Sequence, residues 1–358
     1  MAEPLRVAIV GGGVGGSAAV RSISKRFGSR VAVSLFEMGR GLGGRAATRK
    51  SRDDARIMVS HGCPAFEASD AGALGVCEEL EAAGHLRSYA DGGVGAGTGD
   101  GDSAGAARVF HGHPGMNSLC EGLVEGCPFT PRFKQMVRKV AFDAASKRWL
   151  LEGGDEESLG EYDWLIVSGS GLAHPRWTKT FGGPPPLLEA AGRFDPPCDG
   201  LDRALAVIGE MEANPVVVAM MMYENGGGGG GGGGGGEEEE GEEGVAAATA
   251  AATSPSCDSA VIKLARTGGG EGKDGEDGGG ESAGVLTKAV VQRGEGNTTN
   301  VVLHSTHQYA LSIADVYGRT STAARLGGAK ADSTIEDDIV ARWGDVIRRV
   351  VVGGACTV

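Results

Sequence analysis

Apolar residues gather near the start of the chain in two short blocks, Leu5-Arg6-Val7-Ala8-Ile9-Val10 and Val31-Ala32-Val33-Ser34-Leu35-Phe36. Runs of this length, nearly unbroken by polar residues, predict strands covered on both faces, as in a parallel sheet. Between them Ala18 to Arg26 reads as a helix. Residues 71 to 86 set Leu74, Val76, Leu80 and Leu86 among acids, the pattern of an amphipathic helix, and Asn117 to Glu125 predicts another after the Pro114-Gly115 turn. Arg132 to Phe142 and Lys147 to Glu152 read as strands joined at Ala144-Ala145-Ser146, and Asp163 to Ser168 as a further buried strand. Pro184 to Pro186 marks a crossing between domains. Beyond it, Pro215 to Tyr223, Val285 to Gln292 and Val301 to Ser305 predict strands, the last two paired through Arg293 to Asn300. Val261 to Ala265 is either a strand or a remnant inside an insert. Met220-Met221-Met222 reads as core packing. Thr334 to Val351 predicts a helix with Ile335, Ile339, Trp343, Val346, Ile347 and Val350 on one face.

What lies between the first two blocks changes the picture. The first strand runs directly into Gly11-Gly12-Gly13-Val14-Gly15-Gly16, and the second ends at Glu37. Strand, Gly-x-Gly-x-x-Gly, helix, strand and acid is the order that holds the adenosine half of a dinucleotide. Gly11 allows the tight turn out of the strand, Gly13 lets backbone approach a pyrophosphate, and Gly16 lets the helix lie close on the sheet. The N-terminus of the helix that follows offers free N–H groups and a positive dipole end to phosphate, and Val14 in the turn is a candidate cofactor contact. Glu37 is placed to accept hydrogen bonds from ribose hydroxyls, and its charge disfavours a 2′-phosphate. A glycine-rich turn with no ligand is the alternative in a chain holding 65 glycines.

A second glycine loop follows the acid: Met38-Gly39-Arg40-Gly41-Leu42-Gly43-Gly44-Arg45. A nicotinamide site does not need one. An extended FAD benefits from one, because Gly43 and Gly44 let backbone pass close while Arg40 and Arg45 offer cationic donors to phosphate. A solvated basic loop is the other reading.

Glu37 to Arg45 resembles the E-x-G-R-x-x-G-G-R segment of FAD-dependent amine-oxidase-type flavoproteins. Ser60-His61-Gly62-Cys63-Pro64-Ala65-Phe66-Glu67-Ala68 is similar to the D-H-G-x-Q-Y-F-x-A stretch of their renalase branch. Phe110 to Leu119 resembles that branch's strand followed by P-G-M-x-x-L. Asp163 to Gly171 matches its D-x-V-V-x-A-x-P strand in position, and Val301 to Thr306 resembles it weakly. The chain departs from the pattern at Ser60 for aspartate, at Pro64-Ala65 for Gln-Tyr, and at Ser170-Gly171 for the proline ending the fourth block.

The resemblance implies FAD as cofactor and oxidation of a small reduced substrate, dihydronicotinamide-type or amine, with dioxygen as acceptor. It places a substrate pocket between flavin and the strands around Pro215 to Tyr223 and Val301 to Ser305. It also implies His61 near the flavin ring, where Gly62 allows close backbone approach, and a backbone contact from Val137 to adenine. For both residues a purely structural role is the alternative. No residue is assigned as acid or base, because flavin oxidation needs none. Such proteins end with a strand, a Gly-Asp segment and a helix facing the flavin; that segment is not found after Val351. A second expectation is therefore a non-catalytic or degenerate dinucleotide-binding protein of the same descent. An NAD-linked reductase is a third, opposed by Arg40 to Arg45.

The chain has 358 residues, which predicts two domains. The expectation is an α/β fold. Residues 1–70 and 110–184 form a discontinuous Rossmann-like FAD-binding domain. Residues 71–109 and 185–351 form a substrate domain on a mixed or antiparallel sheet with helices. Residues 226–284 hold 22 glycines, 12 acids and 3 basic residues, and carry −9 of the formal charge of −13. Such a segment cannot bury enough apolar surface to offset chain entropy and reads as a largely disordered insert. Gly92 to Gly105 reads as a loop. With that charge set aside no basic stripe remains, so neither nucleic acid nor a membrane surface is expected as partner; a small-molecule substrate is. Cys63, Cys77, Cys120, Cys127, Cys198, Cys257 and Cys356 are odd in number and lack C-x-x-C spacing. That points to a reducing compartment rather than disulfides or zinc. No metal site is expected: His111-Gly112-His113 and His304-Ser305-Thr306-His307 have no carboxylate or cysteine at ligand spacing. No signal peptide, transit peptide or membrane span is recognised, so a cytoplasmic location is expected.

Overall fold

The computed structural model describes residues 3–51, 58–88, 108–224, 259–263, 286–293 and 298–313. The expected helix at Thr334 to Val351, the loop at Gly92 to Gly105 and the 226–284 insert apart from 259–263 lie outside the described residues.

The first unit is built on β1 (Leu5–Val10), α1 (Val14–Phe27) and β2 (Val31–Glu37). The short strands β3 (Thr48–Lys50), β4 (Met58–Ser60) and β5 (Phe66–Ala68) follow, then α2 (Ala71–Ala82), β6 (Leu86–Ser88), β7 (Arg108–Gly112) and α3 (Asn117–Val124). The chain continues through β8 (Thr130–Phe133), β9 (Lys139–Asp143), β10 (Arg148–Glu152), β11 (Ser158–Tyr162) and β12 (Trp164–Val167). Helices α4 (Arg176–Phe181), α5 (Pro186–Ala191) and α6 (Asp199–Glu210) lead to β13 (Val218–Glu224). The described chain closes with β14 (Ser259–Lys263), β15 (Leu286–Arg293), β16 (Thr298–Ser305) and α7 (His307–Ile313).

Strands β12, β1, β2 and β8 lie side by side in that order, all parallel. Successive side chains of a strand point to opposite faces, and the core divides accordingly. Val7, Ile9, Val33 and Leu35 pack on one face with Val20 of α1 and Val124 of α3. Ala8, Val10 and Phe36 face the other way, onto Val140, Leu151 and Tyr162 of the antiparallel meander β9–β10–β11 and onto Leu187 of α5. The central strands β1 and β2 are thus covered on both faces, as continuous apolar strands require. The fold is α/β, with this Rossmann-like parallel sheet, further antiparallel sheets and helices.

A third cluster joins α2 and α3 to the β5–β7–β6 sheet through Cys77, Leu80, Leu86, Phe110, Met116 and Leu119. The start of α3 is tied to the β3–β4 hairpin. Met116 N donates to Ser60 Oγ (3.1 Å) and Asn117 N to Thr48 Oγ1 (3.2 Å). A methyl on Gly115 would lie 2.6 Å from Thr48 Oγ1, so only glycine fits this approach. The departure from the resembled pattern at Ser60 therefore has a structural role of its own.

Strands β13, β16, β15 and β14 form a second, antiparallel sheet. Its expected strands are present, including the one near Val261, and β15 and β16 pair as expected.

Two expected elements differ. The strand expected over Arg132 to Phe142 is two strands: β8 extends the parallel sheet beside β2, the chain turns, and β9 opens the meander. Val137 lies in that turn rather than on a strand, its side chain buried in the core beneath Phe36. The helix expected to reach Leu86 ends at Ala82, because Gly84 takes φ +84° and turns the chain, leaving Leu86 to begin β6.

Candidate functional site

The glycine turn is held by its own backbone and by the carboxylate that follows β2. Gly11 has φ +110°, a conformation that side chains resist, and its N–H donates to Phe36 O (2.8 Å). A methyl on Gly16 would overlap the carbonyl oxygen of Gly11, so helix and strand meet at a distance only glycine permits. Gly13 is the N-cap of α1. No side chain caps the helix, and its first turn holds no acid, so the helix start at Val14 keeps its dipole and amides for a ligand. Val14 itself is 43% exposed. Around Gly13 the nearest atoms to an added methyl are backbone, Gly43 O and Gly44 Cα, both at 3.8 Å. No side chain blocks the approach.

Glu37 lies beside this turn. Its Oε2 accepts from Gly12 N (2.7 Å) and its Oε1 from Gly39 N (2.6 Å). The carboxylate links the first glycine loop to the start of the second, at the end of β2 where ribose hydroxyls are expected.

The second loop folds back onto the first. Gly43 N donates to Gly12 O (2.8 Å), and Gly13 and Gly43 form an isolated parallel bridge. Gly43 takes φ +134° and Gly44 φ +55°; a methyl on Gly44 would lie 3.1 Å from Gly13 Cα. Glycine is needed at 43 by its φ and by Ala47 Cα of the same loop, 2.7 Å from an added methyl, and at 44 by its φ and by contact with the first loop. Arg40 and Arg45 project from this platform, both exposed. The helix start, Glu37 and this double loop together suit the adenosine and phosphate portion of a dinucleotide, with backbone amides turned to the phosphates.

From Arg45 the site continues to His61. Gly62 sits against the Arg45 carbonyl oxygen so closely that a methyl there would overlap it. The close approach foreseen at Gly62 is thus made by the chain itself. His61 is half-buried and its Nδ1 has no hydrogen-bond partner; burial holds its pKa below the ordinary value, and the Arg49 charge acts in the same direction. Burial pushes the Cys63 thiol up, against the opposing charges of Lys288 and Arg45. Val137 is buried in the core cluster that also holds Phe36, in a turn tied to the site by Gln135 N donating to Glu37 O (3.0 Å) and Lys134 N to Gly39 O (2.8 Å).

Several polar groups beside the site were not among the expected site residues. Ser168, at the end of β12, directs its hydroxyl at Val10 O (3.1 Å) and Gly11 O (2.9 Å), pinning the turn from the far side. Asn300 of β16 donates from Nδ2 to Met58 O (3.1 Å). His304 lies on the same strand face, buried, and its Nε2 has no hydrogen-bond partner. Lys288 stands directly across from it on β15. Polar residues at positions 300 and 304, at strand spacing within an apolar run, were the available signal. Among the described residues no group of three or more His, Cys, Asp and Glu is placed to hold a metal ion, and no helix is long and apolar enough to cross a membrane.

A family model described as "NAD(P)-binding Rossmann-like domain" matches residues 9–80. No curated protein matches the chain. Among solved structures, a protein assigned as a protoporphyrinogen oxidase from Exiguobacterium sp. 255-15 is similar at a TM-score of 0.50 and 12% identity, over 91% of this chain and 83% of that one. The tetracycline destructase Tet(51) is similar at a TM-score of 0.37 and 10% identity, over 90% of this chain and 66% of that one. At these identities the likeness to the Exiguobacterium protein is one of fold. The chain thus has a Rossmann-like domain, similar over residues 9–80 to that family model, within an α/β fold shared with the Exiguobacterium protein.

Proposed function

We propose that this chain is a FAD-dependent oxidoreductase that oxidises a small reduced substrate, dihydronicotinamide-type or amine, with dioxygen as acceptor. The observation that carries this reading is the docking of the second glycine loop on the first, through Gly43 N to Gly12 O and the Gly13–Gly43 bridge. A nicotinamide site ends at the first loop and its acid. Here an ordered platform continues from Glu37 through Arg45 and Gly62 to His61, which gives an extended cofactor a longer cradle.

In this reading the amides at the start of α1 and the cations Arg40 and Arg45 neutralise the pyrophosphate, and Glu37 receives the adenosine ribose. When bound, the flavin supplies a two-electron acceptor for hydride. The chain's own residues bind, orient and exclude water. Val302, Val290 and Val218 of the antiparallel sheet pack against Val59 of β4, which sets that sheet beside the segment leading to His61. The name of the Exiguobacterium neighbour, an oxidase, agrees with the reaction class.

The test is the absorbance spectrum of purified, FAD-loaded protein, followed by anaerobic titration with a dihydronicotinamide and with benzylamine. Bound oxidised flavin that bleaches with either compound supports the reading. A protein that binds no FAD refutes the reading and favours the alternative, a non-catalytic or degenerate dinucleotide-binding protein.

A further inference from the structure

The parallel sheet changes direction between β1 and β12. β1 is followed by α1 on the face packed with Val20 and Val124, whereas the chain after β12 runs to the opposite face, where Ala173 and Leu187 join Val10 and Phe36. Where two such connections part, a crevice opens beyond the carboxyl ends of the strands. One wall of it is the glycine turn and the start of α1. The other is Ser168-Gly169-Ser170-Gly171, the turn leaving β12. The walls meet at their base: Ser168 Oγ donates to Gly11 O (2.9 Å), and a methyl on Gly15 would lie 3.6 Å from Ser168 O. Further along, nothing lies within 4 Å of a methyl placed on Gly169 or Gly171, so open space borders this turn.

Arg176, the first residue of α4, reaches back to this turn. Its Nη2 donates to Ser170 Oγ (3.0 Å) and its main-chain N–H to His174 Nδ1 (3.0 Å), while His174 Nε2–H donates to Met211 O (2.9 Å). One imidazole tautomer satisfies both histidine bonds, and the next residue, Trp177, is buried. The arginine is thereby held at backbone and side chain. Most donors of its guanidinium remain unused, and because Ser170 Oγ accepts from it, the hydroxyl hydrogen is free to donate as well. Arg176 is half-buried and makes no ion pair among the described residues, whereas Arg6, Arg21, Arg108, Arg148 and Arg193 each face a carboxylate. Residues 164–188 contain no aspartate or glutamate, in a chain of net charge −13. A partly desolvated cation with no acid beside it suits an anion supplied from outside.

We propose that Arg176 and Ser170 bind a phosphate group from the β12 side of this crevice. A pyrophosphate lying over Gly13 is then held from both walls, by amides of α1 on one and by guanidinium and hydroxyl on the other. This rests on the dinucleotide reading for the source of the phosphate, and on Arg176 and its partners alone for the binding of one. Unlike the exposed Arg40 and Arg45, Arg176 is set in place before a ligand arrives, so less side-chain freedom is lost on binding. The resembled pattern has a proline where this chain has Ser170-Gly171, and the departure supplies the hydroxyl.

The experiment is calorimetric titration of the full chain with ADP, adenosine, inorganic pyrophosphate and FAD. Arg176→Gln removes the charge and the fork, and is expected to weaken ADP and pyrophosphate at least about tenfold while adenosine changes by less than about twofold. Arg176→Lys restores charge without the fork and is expected to recover part of the ADP affinity. The ³¹P resonances of bound ADP shift between the unaltered chain and Arg176→Gln, and pyrophosphate displaces ADP. Urea denaturation checks folding. If Arg176→Gln does not fold, Ser170→Ala takes its place, with an expected loss of about threefold for ADP and none for adenosine. ADP binding unchanged by the variant, equal losses for ADP and adenosine, pyrophosphate that binds beside ADP rather than displacing it, or no binding of pyrophosphate and ADP at all overturns the proposal. Pyrophosphate binding that depends on Arg176, in a chain that takes up no FAD, leaves the phosphate site standing and sinks the enzyme reading. FAD and ADP bound normally by Arg176→Gln does the reverse.

Discussion

Two glycines of the first loop, three residues apart, make opposite predictions when each is changed to alanine. At Gly16 the added methyl overlaps the Gly11 carbonyl oxygen. That oxygen cannot simply retreat, because it accepts from Ser168 Oγ at 2.9 Å and belongs to a turn held by Gly11 N to Phe36 O. Overpacking of this kind costs roughly 1–3 kcal/mol, and losing the Ser168 bond adds about 1 kcal/mol. Gly16→Ala is therefore expected to destabilise the fold by about 3 kcal/mol, roughly a 150-fold change in the folded-to-unfolded ratio. At Gly13 the methyl meets nothing nearer than 3.8 Å, and φ −80° suits alanine. The helix loses a tolerable N-cap but the unfolded chain loses freedom, so the net change is under about 1 kcal/mol. Yet the methyl stands over the uncapped start of α1, where pyrophosphate oxygens are expected. Gly13→Ala is expected to keep its urea midpoint and lose dinucleotide affinity by at least about tenfold. Urea denaturation and equilibrium dialysis with FAD separate the two effects. A Gly16→Ala variant as stable as the unaltered chain, or a Gly13→Ala variant binding FAD normally, refutes the reasoning at the corresponding residue.

Three further outcomes follow from buried polar groups. His304 has its pKa lowered from 6.5 to about 4 in the fold. The unfolded chain therefore takes up the proton first, and stability falls as pH drops from 6.5 toward 4, by about 3 kcal/mol in all. His304→Gln should flatten that part of a stability-versus-pH curve, and an unchanged slope would contradict the assignment. Ser60→Ala leaves the buried Met116 N–H without its 3.1 Å acceptor, with an expected loss of about 1–2 kcal/mol in thermal or urea unfolding. Asn300→Leu removes the donor to Met58 O, and about 1–3 kcal/mol is expected to be lost by the same measurement. No loss in either variant would mean that the contact is absent in solution.

What could be read from the chain is what is local to it. Gly11, Gly13, Gly16 and Glu37 lie within one strand–helix–strand unit, so their spacing alone implies the geometry, and β1, α1 and β2 form as expected. The reason for Gly43, Gly44 and Gly62 was only half visible. Each was expected to admit a cofactor, whereas each admits another stretch of backbone: Ala47 and Gly13 at the loop, Arg45 at Gly62. β8 was missed as a separate strand because all four of its residues are exposed, so no alternating pattern marks it, and its pairing with β2 is non-local. Ser168 and Asn300 bond to backbone far away in the sequence, so their partners were not legible locally, although polar residues at 300 and 304 within an apolar run marked the strand face.

The central claim is that the start of α1 and the paired glycine loops hold the phosphates of FAD. Isothermal titration of the full chain with FAD, beside Gly13→Ala, tests it most directly. The account predicts one FAD per chain for the unaltered protein, with the two visible bands of oxidised flavin in the complex, and markedly weaker binding for the variant. Absence of FAD binding by the unaltered chain, or equal binding by both, would contradict it.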